Sequence, residues 1–363
     1  MSGAYQTNAK TAGPWVDIDL TALCANFAMI RDQAPSAETA AVVKCDAYGL
    51  GLDAVARTLA TNEKCQSFFV AYPEEGAALR TYLNSAVADI YVFNGPLPQT
   101  MALFEQNRLT PVLNSFEQAE KWAIRQPGVP AAVHIDTGMN RLGAPLTELD
   151  AIANLKGLST KLLMSHLACS SAPTDPMNEK QRNRFIEAAS KFPDARLSLS
   201  ASGGSLMGSD FHFDLLRVGT ALYGGTPFDF DEPRLKPVAF LRAPVVQIRT
   251  ALPGETVGYA ASHAIDRQTQ LATVALGYGD GFPRAGSGRA EAYIGGIRAS
   301  VAGRISMDLT SLDITNVKNP IKTNDIATFF GEGITLFEAA CACGTIPYEL
   351  LTGLGGRVDR RYL

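Results

Sequence analysis

The chain has 363 residues, 46% of them hydrophobic, enough for two domains or for one large barrel with an appendage around a sizeable core. A formal net charge of -4 and an isoelectric point near 5.7 leave no basic stripe, which argues against nucleic acid or an anionic membrane surface and favours a small-molecule ligand. The opening MSGAYQTNAKTAGPW has no basic segment followed by an apolar run, and no later stretch reaches membrane-spanning length, so a cytoplasmic protein is expected.

Short β-branched runs alternate with amphipathic stretches from residue 15 to about 220, the pattern of repeated βα units around a parallel sheet. The predicted strands are AAVVKC from residue 40, SFFVAY from 67, DIYVFN from 89, LTPVLN from 109, AAVHID from 131, KLLMSHL from 161, RLSLS from 196 and FDLLRVG from 213. Helical spacing appears in TALCANFAMIRDQA, LDAVARTLATN, EEGAALRTYL, SFEQAEKWAIRQ and PMNEKQRNRFIEAASKF. Eight strands over this length predict a (β/α)8 barrel of the TIM type, a doubly wound sheet being the alternative.

Beyond TPFDFDEPRLKP the texture changes. VVQIRTAL, QLATVALGY, EAYIGGIRASVAGRI, DLTSLDI and DIATFFG follow in quick succession, separated by glycine and charged turns, which predicts a C-terminal all-β domain. The proline-bearing stretch around Pro233 and Pro237 sets the boundary, giving a barrel domain over 15–236 and a β domain over 237–363. Six scattered cysteines fit reduced thiols, and the pair in CAC at 341–343 lacks the partners of a tetrahedral metal site, so no metal is expected.

In a parallel barrel the reactive groups sit at the carboxyl ends of the strands. Lys44 ends the first clear strand, with Tyr48 in its loop. Asp136 and Arg141 follow another in HIDTGMNRLG, His166 ends LLMSHL, Ser202 follows RLSLSAS, and Arg217 ends FDLLRVG. Alone, each has a plainer reading: a solvated strand-end lysine, a satisfied core histidine, a surface ion pair, a turn in which Asp136 bonds locally. Their repeated placement at one end of successive strands favours a shared site. A lysine there offers an amine for Schiff-base chemistry with a carbonyl substrate or with pyridoxal phosphate. In RVGTALYGG, Gly219 permits close backbone approach and Thr220 is expected to open a helix whose N-terminus favours an anion. GYGDGF at 277–282 lacks the spacing of a dinucleotide loop.

These residues carry a resemblance. AVVKCDAYGLG, HIDTGMNRLG and LLRVGTALYGG, followed by VGYAASH, LGYGDGFPR and GRISMDLT, resemble six ordered motifs of the bacterial alanine racemases, over nearly the whole chain. The resemblance implies a pyridoxal phosphate-dependent alanine racemase that interconverts L-alanine and D-alanine, the latter a building block of peptidoglycan. It implies that Lys44 holds the cofactor and serves one face of the substrate Cα. Tyr259 serves the other face from the partner subunit of a head-to-tail homodimer. Arg217 faces the pyridine nitrogen, and Tyr48, His166, Ser202, Gly219 and Thr220 line the cofactor. Arg141 lies near the cofactor phenolate and the substrate carboxylate, the Met307 amide helps hold that carboxylate from the partner chain, and Tyr278 narrows the entry. The alternatives are a racemase of broader or different specificity, a barrel-fold decarboxylase, and a non-catalytic cofactor-binding barrel; the β domain and VGYAASH count against the last two.

The chain departs from the family pattern at four places, the mildest being Ala260 in VGYAASH, where the family often has glycine after the tyrosine and which leaves Tyr259 itself in place. His134 stands where a carbamylated lysine is frequent, and imidazole forms no such carbamate, so His134 or a bound anion is expected to take over beside Arg141. Ala201 replaces an asparagine before the serine, which changes the support of Arg217. Gly356 occupies the place of a phosphate-contacting tyrosine, so that contact is not carried over.

Overall fold

The structure is a computed structural model that describes residues 13–84 and 88–363. Most of the N-terminal stretch read above for a targeting signal lies outside the described residues. Among the described residues no helix is long and apolar enough to cross a membrane. The chain divides into two compact units, Leu20–Lys236 and a second that joins the N-terminal segment through Asp19 to Pro237–Leu363.

The first unit contains the eight predicted strands. Leu215–Val218, Glu38–Val42, Ser67–Val70, Asp89–Val92, Thr110–Leu113, Pro130–Asp136, Ser159–Met164 and Arg196–Ser198 lie side by side in that order, all parallel. The sheet closes on itself where the Arg217 amide donates to the Ser200 carbonyl at 2.9 Å and the Asp214 amide to Leu197 at 3.0 Å. Barrel strands are covered on both faces, which is why they read as nearly continuous apolar runs; Phe68, Phe69 and Val70 are all fully buried. Ala40, Phe69, Tyr91, Val112, Ala132, Leu162 and Leu215 point inward together and fill the barrel.

The outer helices obey the predicted periodicity. Leu52–Asn62 buries Leu52, Val55, Ala56 and Leu59, one face of a 3.6-residue repeat. Phe116–Arg125 begins at Ser115, whose side chain accepts from the Gln118 amide, and Pro176–Ala189 begins at Asp175, which accepts from Met177.

The second unit corrects the expected start of the barrel domain at residue 15. Trp15–Ile18 is not a barrel strand; it pairs antiparallel with Ala239–Ala251 and parallel with Asp359–Tyr362. Its sheet continues through Ile326–Phe330 to the hairpin of Glu291–Ile294 and Ile297–Ser300, while Thr269–Val274 joins Ala239–Ala251 to Thr310–Asp313. This β unit also holds two short helices, Leu336–Ala342 and Pro347–Thr352, that the strand pattern did not announce. Cys341 lies exposed on the first of them and Cys343 is buried at its end.

Candidate active site

Lys44 leaves the barrel strand Glu38–Val42 through a single helical turn over Lys44–Tyr48. Cys45, Asp46, Ala47 and Tyr48 have φ of 55°, 52°, 53° and 58°, so the turn is left-handed. For residues with a Cβ that hand costs roughly 1–2 kcal/mol each, and a run of four persists only where neighbours impose it. Asp46 closes the turn by accepting from the Leu52 amide at 2.7 Å, and Glu75 opens it by accepting from the Cys45 amide at 2.6 Å. The Lys44 ammonium lies 5.7 Å above the Phe93 ring. Burial and the nearby Arg141 charge lower its pKa, against the opposing influence of Glu75 and Cys45, so the neutral amine is easier to reach than in water.

Arg217 is fully buried without a carboxylate partner. Its Nη1 donates to the Ser198 carbonyl at 2.8 Å and to Ser198 Oγ at 2.5 Å; its Nη2 donates to the carbonyls of Ser165 at 2.5 Å and Leu199 at 3.2 Å. Ala201, in place of the family's asparagine, only bridges Arg217 through the backbone, so support comes from the two serine positions and Leu199. Nε makes no hydrogen bond among the described residues. Burial lowers the pKa of this guanidinium, which still keeps its proton at neutral pH because arginine starts so high. His166 stands where the charges converge: burial, then Arg217, Arg141, His134 and Lys44, drive its pKa well below the usual value, so it is neutral.

Among the described residues His134 makes no hydrogen bond to Arg141, the first of the two arrangements expected there. Its Nδ1 faces Asn114 Oδ1 at 2.8 Å. Burial first, then Arg217, push its pKa down to about 3. Arg141 is exposed and has no polar partner among the described residues. The local reading of Asp136 holds: its carboxylate accepts from the amides of Gly138, Met139 and Asn140, each at 2.8 Å, and shapes the loop that carries Arg141.

Ser202, Gly219, Thr220 and Tyr48 gather at another sector of the same mouth. Ser202 Oγ accepts from the Gly219 amide at 3.0 Å and the Ala221 amide at 3.3 Å, while the Thr220 amide between them donates to no described residue. Thr220 opens a single 3-10 turn, Thr220–Tyr223, rather than the longer helix expected. A Cβ on Gly219 would come within 2.3 Å of the Tyr48 hydroxyl, so only glycine fits beneath that ring. Tyr48 packs against Tyr223 with ring centroids 4.7 Å apart, and the buried Tyr223 hydroxyl donates to the Val42 carbonyl at 3.0 Å.

The remaining predicted residues belong to the β unit. Tyr259, Tyr278 and Met307 are 69%, 42% and 53% exposed. Their loops are locked together: a Cβ on Gly258 would lie 3.2 Å from the Arg304 amide, the Tyr278 amide donates to Ser306 at 3.0 Å, and Gly279 donates to Met307 at 2.8 Å. Arg357 bridges Asp280 at 3.0 Å and Asp308 at 2.8 Å, tying the same loops from behind. The Met307 amide donates to no described residue. GYGDGF is part of this lock, with a 3-10 turn over Tyr278–Asp280 and no dinucleotide-loop geometry. Sequence reasoning missed Asn114, Glu75, Ser165, Ser198 and Phe93. Asn114 directly follows the strand Thr110–Leu113, where the strand-end rule finds it; Glu75 carries no comparable signal.

The family model described as "Alanine racemase, N-terminal domain" matches residues 18–227, and "Alanine racemase, C-terminal domain" matches 238–362. An alanine racemase of Methylobacterium sp. (strain 4-46) is 41% identical, covering 98% of this chain and 100% of its own. A catabolic alanine racemase of Agrobacterium fabrum is 42% identical over 100% of this chain and 95% of its own. The crystal structure of alanine racemase from Bartonella henselae with covalently bound pyridoxal phosphate superposes with a TM-score of 0.92 at 34% identity, covering 97% of this chain and 100% of that one.

Proposed function

The chain belongs to the alanine racemase family and interconverts L-alanine and D-alanine with pyridoxal phosphate, and from that premise we infer how its residues divide the work. The barrel mouth fits such a cofactor. Arg217 Nε and the Thr220 amide are donors without acceptors, Gly219, lacking a Cβ, admits the Tyr48 hydroxyl, and the Lys44 amine is shifted toward its neutral, nucleophilic form. When bound, pyridoxal phosphate supplies an electron sink that acidifies the Cα–H of the amino acid.

Lys44 anchors the cofactor and moves a proton at one face of Cα; Tyr259 moves one at the other. Two groups are required because inversion removes a proton from one side and returns it on the opposite side. Arg217, which does not give up its proton, would face the pyridine nitrogen of the bound cofactor and leave that nitrogen unprotonated. Tyr48, Ser202, Gly219 and Thr220 hold the phosphate, and neutral His166 lines the ring without adding a competing charge. Arg141 and the Met307 amide hold the substrate carboxylate, and Tyr278 narrows the entry.

The observation that carries this reading is Arg217: a buried guanidinium held by neutral acceptors, with one N–H left open. The small amino acid reaches a site completed by a second copy of the chain. What supports the homodimer is the exposure of Tyr259, Tyr278, Met307 and Leu309 on loops of the β unit, surface that a partner would cover. The six unpaired cysteines support a cytoplasmic location. Incubation of the cofactor-loaded protein with L-alanine, followed by chiral chromatography, should give an equal mixture of enantiomers. Faster turnover of lysine, arginine or serine would replace alanine as the substrate, and release of carbon dioxide would replace racemisation by decarboxylation.

A further inference from the structure

Glu75 is the third residue of the helix Pro73–Leu83, where a glutamate ordinarily accepts from the amide at the helix start. Its Oε2 does this, accepting from Ala71 at 2.8 Å and Tyr72 at 3.2 Å. Helix capping leaves the other oxygen unexplained. Oε1 reaches 30 positions back along the chain to the Cys45 amide at 2.6 Å, the first peptide of the left-handed turn that follows Lys44. One carboxylate therefore ties the ends of two neighbouring barrel strands, Glu38–Val42 and Ser67–Val70, above the point where Lys44 departs.

We propose that Glu75 is a positioning residue for Lys44, its carboxylate latching the left-handed turn so that the amine enters the barrel mouth in one fixed direction. The inference rests on the reading of Lys44 as the residue that bears the cofactor. Three features meet here. The turn is one that Cβ-bearing residues adopt only under constraint, and Asp46 secures its far end but not its start. Lys44 is the residue immediately before the latched amide. The Glu75 charge also favours the Lys44 ammonium, against burial and Arg141, so the latch and the charge state act on one group.

Glu75→Gln tests this, because an amide has one acceptor oxygen and its NH2 must confront either the Cys45 amide or those of Ala71 and Tyr72. Glu75→Asp keeps both oxygens on a chain one methylene too short to span the two sites. Each variant is prepared as cofactor-loaded full-length protein and compared by thermal melting, visible circular dichroism of the bound cofactor, and steady-state kinetics on alanine. A folded variant is expected to lose at least half of the visible circular dichroism, with kcat reduced about tenfold to a hundredfold. KM is expected within about twofold of the parent, since substrate contacts are untouched. A folded variant with parental kcat and visible signal overturns the proposal. Failure of both variants to fold also overturns it, by making the carboxylate a determinant of barrel folding. Parent protein that binds cofactor but does not racemise alanine counts against the function above and leaves the visible comparison intact.

Discussion

His134 Nδ1 lies 2.8 Å from Oδ1 of Asn114, whose own amide nitrogen is committed to the carbonyls of Phe93 and Val112, each at 2.9 Å. Those two bonds fix the amide orientation, so the oxygen faces the ring and Nδ1 carries the hydrogen. With burial pushing its pKa down to about 3, the imidazole is neutral and leaves Nε2 as the acceptor.

This neutrality predicts acid lability well above the carboxylate range. In the unfolded chain His134 takes up a proton near pH 6.5, whereas in the folded chain it resists down to about 3. Between these values the unfolded state binds more protons, so stability is full above about pH 6.5 and falls as pH falls, by about 1.4 kcal/mol per unit for each such histidine. His166 is shifted in the same direction. Urea unfolding between pH 6.5 and 5 should show the fall, and His134→Asn should remove about half of its slope, since two histidines share it. An unchanged slope in that variant rules out His134 as a source.

Gly219→Ala should loosen the cofactor. A new Cβ at Gly219 would lie 2.3 Å from the Tyr48 hydroxyl and 3.1 Å from its Cζ. Overpacking of this kind costs about 1–3 kcal/mol, enough for roughly a tenfold or greater loss of cofactor affinity. Removing the hydroxyl in Gly219→Ala/Tyr48→Phe relieves the closest contact. Fluorescence titration with pyridoxal phosphate should therefore find the double variant tighter than Gly219→Ala alone; strictly additive losses would contradict the steric account.

Arg217→Lys should destabilise the barrel although the charge is kept. An ammonium cannot span the carbonyls of Ser198, Ser165 and Leu199 that the guanidinium fork satisfies together. Each buried acceptor left unpaired costs about 1–3 kcal/mol, so a total of about 2–4 kcal/mol is expected in urea unfolding, with a changed absorption spectrum of bound cofactor. Parental stability in this variant would mean that water or rearranged side chains satisfy the carbonyls equally well.

The sequence shows some of these relationships and hides others for physical reasons. Barrel strands buried on both faces have to be apolar throughout, so SFFVAY and KLLMSHL are legible, and the polar residue that ends each run marks the mouth. Trp15–Ile18 misleads because a short apolar strand reads the same whichever strand it pairs with; its partners are Arg242 and Asp359, hundreds of positions away. The left-handed turn after Lys44 has no compositional signature, since Cys45, Asp46 and Ala47 adopt it under tertiary constraint rather than by preference. Glu75 reads as an ordinary capping residue, and only the fold reveals its second oxygen on Cys45. The motif matches locate Tyr259, Tyr278 and Met307, but that the loops of Tyr278 and Met307 join through Ser306 and Arg357 is a property of the folded unit.

Mixing two inactive variants should restore activity if each site takes Lys44 from one subunit and Tyr259 from the other. Lys44→Ala alone removes the amine that anchors the cofactor, so its visible absorption should disappear. Tyr259→Phe alone removes one proton carrier and should block exchange at one face of Cα far more than at the other, measured by deuterium wash-in from each enantiomer. In a mixed dimer one site carries both lesions and the other carries neither. With full exchange of equal amounts, half of the dimers are mixed and about a quarter of parental activity returns. Subunit exchange is followed independently by native mass spectrometry of differently labelled chains. Exchange without recovery would place Lys44 and Tyr259 in the same subunit's site, and recovery would require that each site be built from two chains.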